Sequence, residues 1–317
     1  MKIVMHDPLP LDEYLAAVQD AAPSAEIVVA SKENVAEELR DAEIFFGFHS
    51  PEVFRQATKL RWIQATSAGI EALLVPELVA RGLIITNASG LYASPVAETA
   101  WALTLALFRR IPTYLRQQQE HRWEVHMPPG DLDGSIAGVI GLGGIGSHYA
   151  RVSAAFGMRV VSVDRYQPPK PDFVESLWPM DRLNNLLEMS DVVLISCPLW
   201  SESKHLINRE TLAQMKPTAF LVNIARGGIV EENALLEALQ SGQIAGAGID
   251  VCETEPLPAE SPLWEAPNLI LTPHFAGFSG QRLSRLTKLF RENLKCYQSG
   301  ERLVNEVDQE KGYPVPV

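Results

Sequence analysis

Three polar side chains stand where apolar runs of the sequence stop. Arg226 follows the strand-like run 219–224 in "FLVNIARGGIV", Glu255 comes just past 247–251 in "DVCETEPLP", and His274 follows 268–272 in "LTPHFAG". An arginine is seldom buried without a partner, so a permanent cation at the mouth of an apolar strand points to an anion that is not part of the chain. Its planar fork suits a carboxylate together with a neighbouring carbonyl oxygen. A protonated histidine can deliver its proton to such an oxygen. A carboxylate beside it favours the imidazolium and steadies the ring. The three residues therefore suit reduction of a carbonyl that lies next to a carboxylate, with a nicotinamide supplying the hydride.

A glycine-rich turn supplies the place for such a cofactor. "VIGLGGIGSHYA", 139–150, fits G-x-G-x-x-G with Gly141, Gly143 and Gly146, after an apolar strand and before a helical pattern. The first glycine permits the tight turn, the second lets the backbone approach a pyrophosphate, and the third lets the helix pack on the strand. Asp164 ends the next strand, 18 residues beyond Gly146. A carboxylate there accepts hydrogen bonds from both ribose hydroxyls of adenosine and repels a 2′-phosphate, which points to NAD. Arg165 beside it pulls the other way, because an arginine near this place welcomes that phosphate, so NADP stays open.

These residues need strands to carry them to one edge. Short apolar runs alternate with helical patterns from end to end, the signature of parallel sheets with crossover helices. The first series of strands is expected at 2–5, 26–29, 43–46, 61–64 and 83–86, with helices such as 11–20 and 33–40 between them. A long apolar helical stretch, 93–119, follows, and Pro112 should kink or split it. A second series, 136–140, 159–163, 191–196, 219–224, 247–251 and 268–272, reads as a six-stranded doubly wound domain, and 281–299 as a closing amphipathic helix. The expected fold is α/β, with two doubly wound parallel-sheet domains: a Rossmann cofactor domain, 96–280, inserted into a flavodoxin-like substrate domain built from 1–95 plus 281–317. In an open α/β sheet ligands bind at the carboxyl ends of the strands, which gathers Gly141, Asp164, Arg226, Glu255 and His274 on one edge. No fixed-period repeat or low-complexity segment appears, and "KGYPVPV" at 311–317 reads as a loose tail.

Bulk properties narrow the class further. The 317 residues are 46% hydrophobic and 21% charged, the balance of a soluble globular enzyme. A net charge of −12 argues against general affinity for nucleic acid or an anionic membrane. The three cysteines, Cys197, Cys252 and Cys296, form neither a metal-type spacing nor a disulfide framework, and read as reduced thiols of a cytoplasmic protein. No metal is expected. The start, "MKIVMHD", does not read as a signal peptide, and no apolar run approaches a membrane span.

In "VIGLGGIG", "GMRVVSVD", "NIARGGIV", "GAGIDV" with "ETEPLP", and "NLILTPHFAG", the chain resembles the D-isomer-specific 2-hydroxyacid dehydrogenases, in family order and from about residue 60 to residue 295. The resemblance implies that Arg226, Glu255 and His274 are the catalytic residues. Glu255 is preferred to Glu253 because the family's glutamate directly precedes the proline. "QATSAGIEAL", 64–73, resembles the family's substrate loop, whose N–H groups around Ser67, Ala68 and Gly69 would grip the carboxylate alongside Arg226, as a glycine-containing turn can. Cofactor contacts carry over to Gly141, Gly143, Gly144, Ile145 and Gly146, to Asp164 and Arg165, to Cys197 and Pro198, to Ile224 and Ala225, to Asp250 near the nicotinamide amide, and to Ala276 and Gly277.

Family members usually dimerise through the cofactor domain, near the segment led by "NASGLYASPVAETA", which implies a homodimer. Four positions bear on how far the pattern carries. Gly144 replaces a frequent arginine, and Trp200 and Ser201 stand where many members have threonine and proline; Glu255 argues against formate oxidation. The resulting expectation is an NAD-preferring reductase of small 2-oxo acids that runs reversibly on D-2-hydroxy acids. The alternatives are an NADP-preferring glyoxylate/hydroxypyruvate reductase and a non-catalytic dinucleotide-sensing protein like the family's co-repressors. The substrate's side chain would meet Phe48, His49, Leu91, Phe275 and Trp264, with closure expected about hinges near 95 and 280.

Overall fold

The computed structural model describes residues 1–6, 12–126, 130–309 and 312–314. It divides the chain into two compact units, Met1–Tyr92 with Ser279–Val317, and Ala93–Phe278. Each is a parallel sheet between layers of helix, so the fold is α/β in both.

The first unit holds β1 (Lys2–His6), β2 (Glu26–Val29), β3 (Ile44–Gly47), β4 (Trp62–Ala65) and β5 (Ile84–Thr86), in the flavodoxin-like order β2-β1-β3-β4-β5. Alternation along the strands separates two cores. Ile3, Met5, Ile44, Phe46 and Trp62 face the helices Asp12–Ala21 and Arg282–Ser299 through Val18, Leu286, Phe290 and Leu294. Val4, Phe45 and Ile63 face Val35, Leu39 and Phe54 on the opposite side. A buried polar chain pins β4, the strand that leads into the 66–70 turn. Trp62 Nε1 donates to Thr86 Oγ1 (2.8 Å), Thr86 Oγ1 donates to Gln64 Oε1 (2.8 Å), and Asn293 Nδ2 donates to the same Gln64 oxygen (2.9 Å). Every member is satisfied, which is the condition for such a network to stabilise a core. Residue 11 of the expected first helix and most of the expected tail, 311 and 315–317, lie outside the described residues.

The second unit holds β6 (Ile136–Ile140), β7 (Arg159–Val163), β8 (Ser176–Trp178), β9 (Val192–Ile195), β10 (Phe220–Asn223), β11 (Gly246–Ile249) and β12 (Leu269–Leu271). The order is β12-β11-β10-β9-β6-β7-β8, all parallel, so the sheet has seven strands and not six. The additional strand is β8, three half-buried residues at the edge against Val161–Val163. A strand that short shows neither alternation nor a continuous apolar run.

The long helical stretch is also two elements, Ala93–Phe108 and Ile111–Gln119, broken at Arg110 with φ 53°. Pro112 sits in the first turn of the second helix, where its missing N–H costs nothing. The first helix lies close on the sheet because β11 carries glycine there: a Cβ on Gly248 would come 3.0 Å from Leu103 Cβ. Among the described residues no helix is long and apolar enough to cross a membrane.

Candidate active site

The direction of winding reverses between β6 and β9, the place where doubly wound sheets open a ligand crevice. The glycine loop leaves β6 there, and its three glycines do three jobs. Gly141 has φ 93°, and a Cβ on it would lie 2.8 Å from the Cys197 nitrogen, so the turn can hold only glycine. A Cβ on Gly146 would lie 2.0 Å from the Gly141 carbonyl oxygen. At Gly143 a Cβ would meet nothing within 4 Å, so the loop is open where a pyrophosphate would approach. The helix Gly144–Ala155 starts at this opening and offers its first N–H groups, those of Gly144, Ile145 and Gly146. These features fit a dinucleotide. Ser196, unremarked in the sequence, braces the loop by donating its hydroxyl to the Gly141 carbonyl (2.8 Å).

Asp164 stands beside this loop. Its Oδ2 accepts the Leu142 N–H (2.7 Å) and its Oδ1 accepts the Tyr166 N–H (2.7 Å), which fixes the carboxylate between the glycine loop and the next turn. Arg165 forms an ion pair with Glu202 and lies over the rings of Trp200 (5.5 Å) and Tyr166 (5.8 Å). Cys197 is buried against Gly141 at the start of the same loop, followed by Pro198, and burial pushes its thiol up to about 12.

Arg226, Glu255 and His274 follow β10, β11 and β12, three neighbouring strands. His274 Nδ1–H donates to Glu255 Oε2 at 2.6 Å, and Glu255 Oε1 accepts the Cys252 N–H at 3.0 Å, so one carboxylate ties the imidazole to the backbone. The pair is about half exposed (49% and 37%), so it contributes little to stability. His274 itself takes φ 50°, a left-handed conformation that few residues adopt. Its N–H is held by the carbonyls of Asp250 (2.8 Å) and Thr272 (3.0 Å).

Asp250, 1% exposed, underpins the turn: Oδ1 accepts from the Thr272 hydroxyl (2.6 Å) and the Phe275 N–H (3.1 Å), and Oδ2 from the Ala276 N–H (2.9 Å). The sequence suggested Asp250 as a cofactor contact. The structure shows it first as the anchor of the histidine turn, with Ala276 buried and Gly277 next to it.

Arg226 is placed by Asn223, which is buried at the end of β10. Asn223 Oδ1 accepts the Ala225 N–H (3.1 Å) and its amide donates to the Arg226 carbonyl (3.0 Å). Ile224 and Ala225 are buried, while the arginine is half-buried and donates Nη1–H to the Ala225 carbonyl (2.7 Å). The glycine after it explains the "RGG" run. A Cβ on Gly227 would fall 1.9 Å from the carbonyl carbon of Cys252, so the arginine loop and the glutamate loop touch backbone to backbone. Glu232 and Glu253 lock the same loop from below, each N–H bound to the other's carboxylate (3.2 and 2.6 Å). Burial raises the Glu232 pKa, helped by the charges of Glu253 and Glu255. The Cys252 thiol is pushed up to about 11, by burial first and then by Glu232, Glu255 and Asp250.

In the first unit the turn after β4 is held through its carbonyls. Those of Thr66, Ser67 and Ala68 accept from Tyr92 Oη, the Ala88 N–H and Asn87 Nδ2, and Ser67 Oγ donates to the Gly69 carbonyl. Among the described residues no acceptor faces the N–H groups of Ser67, Ala68 and Gly69. Phe48 is exposed, Leu91 is half-buried, and His49 packs on His6 with ring centroids 5.2 Å apart. Burial, followed by that second imidazole, lowers the His49 pKa. In the second unit Phe275 is exposed, and Trp264 is turned to the Pro258 carbonyl (2.9 Å).

A dinucleotide cradle and a carboxylate-steadied histidine on one sheet edge define a nicotinamide-dependent oxidoreductase. Comparison with known proteins narrows this class. The family described as D-isomer specific 2-hydroxyacid dehydrogenase, NAD binding domain, matches residues 101–276. A glyoxylate reductase of Korarchaeum cryptofilum is 37% identical over 290 residues, 88% of this chain and 87% of that protein. A D-isomer specific 2-hydroxyacid dehydrogenase family protein from Aeromonas salmonicida superposes with a TM-score of 0.86 at 30% identity, over 97% of this chain and 99% of that one. The enzyme of Xanthobacter autotrophicus, solved with NADPH and MES, gives 0.85 at 30% identity over 98% and 99%. The chain belongs to the D-isomer specific 2-hydroxyacid dehydrogenases, and its activity is NAD(P)-dependent hydride transfer on 2-hydroxy and 2-oxo acids.

Proposed function

We propose that this enzyme reduces small 2-oxo acids with NADH, glyoxylate and hydroxypyruvate foremost, and runs reversibly on D-2-hydroxy acids. The observation that carries the reading is the His274–Glu255 pair, held at 2.6 Å between the segments that follow β12 and β11, with Arg226 after the adjoining β10. The relative named glyoxylate reductase supports the size of the substrate. When bound, the nicotinamide supplies hydride to the carbonyl carbon. Arg226 takes the substrate's carboxylate and polarises the carbonyl oxygen, and His274 gives that oxygen its proton. Glu255 keeps the ring's Nδ1–H engaged, so Nε2 is the nitrogen that donates. The N–H groups of Ser67, Ala68 and Gly69 suit a carboxylate, and Asp164 suits the ribose hydroxyls of NAD. The two units, with boundaries near 95 and 280, serve as substrate and cofactor domains.

NADPH is a second reading, favoured by Arg165 beside Asp164 and by the NADPH bound to the Xanthobacter enzyme. The test is oxidation of NADH and of NADPH, followed by loss of near-ultraviolet absorbance, against glyoxylate, hydroxypyruvate, pyruvate and phenylpyruvate. Fast turnover of one acid with NADH supports the reading. Dinucleotide binding without turnover of any acid would replace it with a sensor.

A homodimer is part of the proposal. Trp123 and Val125 are 98% and 84% exposed, and Ile111 and Leu115 on the preceding helix are exposed as well, apolar groups expected to pack against a second copy. Sedimentation of wild type and of Trp123→Glu checks it: a dimer that the substitution splits supports that packing, and a monomeric wild type refutes it. A cytoplasmic location fits three free cysteines.

A further inference from the structure

We propose that Glu202 sets the enzyme's choice between the two nicotinamide dinucleotides, by holding Arg165 away from a 2′-phosphate. The inference rests on the glycine loop being the dinucleotide site. In the sheet, β6 lies between β7 and β9. Arg165 comes from the loop after β7 and Glu202 from the loop after β9, so their ion pair runs from one side of the glycine loop to the other. Trp200, a departure from the family's usual threonine, and Tyr166 give the guanidinium two ring faces, at 5.5 and 5.8 Å, which favour this position further.

The chemistry then discriminates. NADH presents two ribose hydroxyls, which need only acceptors, and Asp164 is fixed beside the loop by the N–H groups of Leu142 and Tyr166. NADPH brings about −1.5 to −2 charge at the 2′ position. Beside Asp164 that charge needs a cation, and the adjacent cation is committed to Glu202. To reach Arg165 the phosphate must displace Glu202 and leave two carboxylates near a dianion. The pair is exposed at 42% and 64%, so it exchanges readily and the bias is graded, not absolute. Glu202 is thus a specificity-determining residue that acts through Arg165.

The experiment uses the full chain, the substitution Glu202→Gln, and the same change combined with Arg165→Ala. Steady-state rates with one turned-over oxo acid give kcat/KM for NADH and NADPH, and nicotinamide fluorescence gives each Kd without catalysis. Glu202→Gln is expected to raise the NADPH-to-NADH ratio of kcat/KM about three- to fivefold, through KM for NADPH, with a matching change in Kd. Adding Arg165→Ala should abolish that gain. An unchanged ratio overturns the inference, and so does an equal gain without Arg165, which would reduce Glu202 to a general charge effect. A wild-type chain that binds neither dinucleotide would instead bring down the cofactor reading, and this inference with it.

Discussion

Gly227→Ala asks whether the arginine loop and the glutamate loop act as one piece. The added Cβ would stand 1.9 Å from the Cys252 carbonyl carbon, 2.0 Å from its oxygen and 2.4 Å from the Glu253 nitrogen. These are backbone atoms, so no rotamer change relieves the contact. Reaching a carbon–carbon separation of about 3.5 Å requires the two segments to part by roughly 1.5 Å. Arg226 moves with one segment. Cys252, whose N–H holds Glu255, moves with the other. Overpacking of this kind costs about 1–3 kcal/mol of stability. A catalytic group misplaced by about 1 Å loses on the order of 100-fold in rate. We therefore expect kcat/KM for the oxo acid to fall about 100-fold, with a lowered Tm, while the Kd for NADH, set at Gly141–Gly146, changes by less than about threefold. Steady-state kinetics, fluorescence titration and thermal unfolding on one preparation give all three. A folded variant with near wild-type kcat/KM would refute the coupling of the two loops.

Arg226→Ala should abolish oxo-acid turnover while NADH still binds, and His274→Ala should slow reduction by at least about 100-fold with the fold intact, as checked by rate and circular dichroism. Thr272→Val deprives the buried Asp250 carboxylate of one donor and should cost about 1.5–3 kcal/mol in urea unfolding; an unchanged midpoint would show that the hydroxyl is idle. Because the folded Cys252 thiol sits at about 11, above its ordinary value, it stays protonated at pH 8, and its alkylation by iodoacetamide should accelerate only as pH climbs toward that value. Peptide mass spectrometry reads this directly, and labelling at pH 8 as fast as in the unfolded chain would refute it.

The parts of this molecule legible in the sequence are those with local causes. Buried parallel strands show as apolar runs, a glycine turn shows as its glycines, and a polar residue at the end of such a run shows as an interruption. β8 was hidden because three half-buried residues on a sheet edge carry no period. Asn223, Ser196 and Thr272 were hidden for another reason: each braces a functional turn through bonds to carbonyls, N–H groups or a carboxylate that only the folded sheet brings near. Asn223 did leave a trace, as a polar residue closing the apolar run "FLV". Glu202 left none, since its partner lies 37 residues away in sequence and across another strand. Gly227 was visible as a glycine, but its reason is the Cys252 backbone, which sequence spacing does not reveal.

The adjacency of β10, β11 and β12 has a consequence for how such an enzyme can change. The strand ends that lead to Arg226, Glu255 and His274 are spaced by strand-to-strand hydrogen bonding, at about 4.8 Å per step, and not by the number of residues between them. The chain that joins them crosses to the other end of the sheet and back, through the helix Glu232–Gln240 and the turn at Gly242, where a side chain would meet nothing within 4 Å. Length added at that turn is therefore expected to leave the three strand ends where they are.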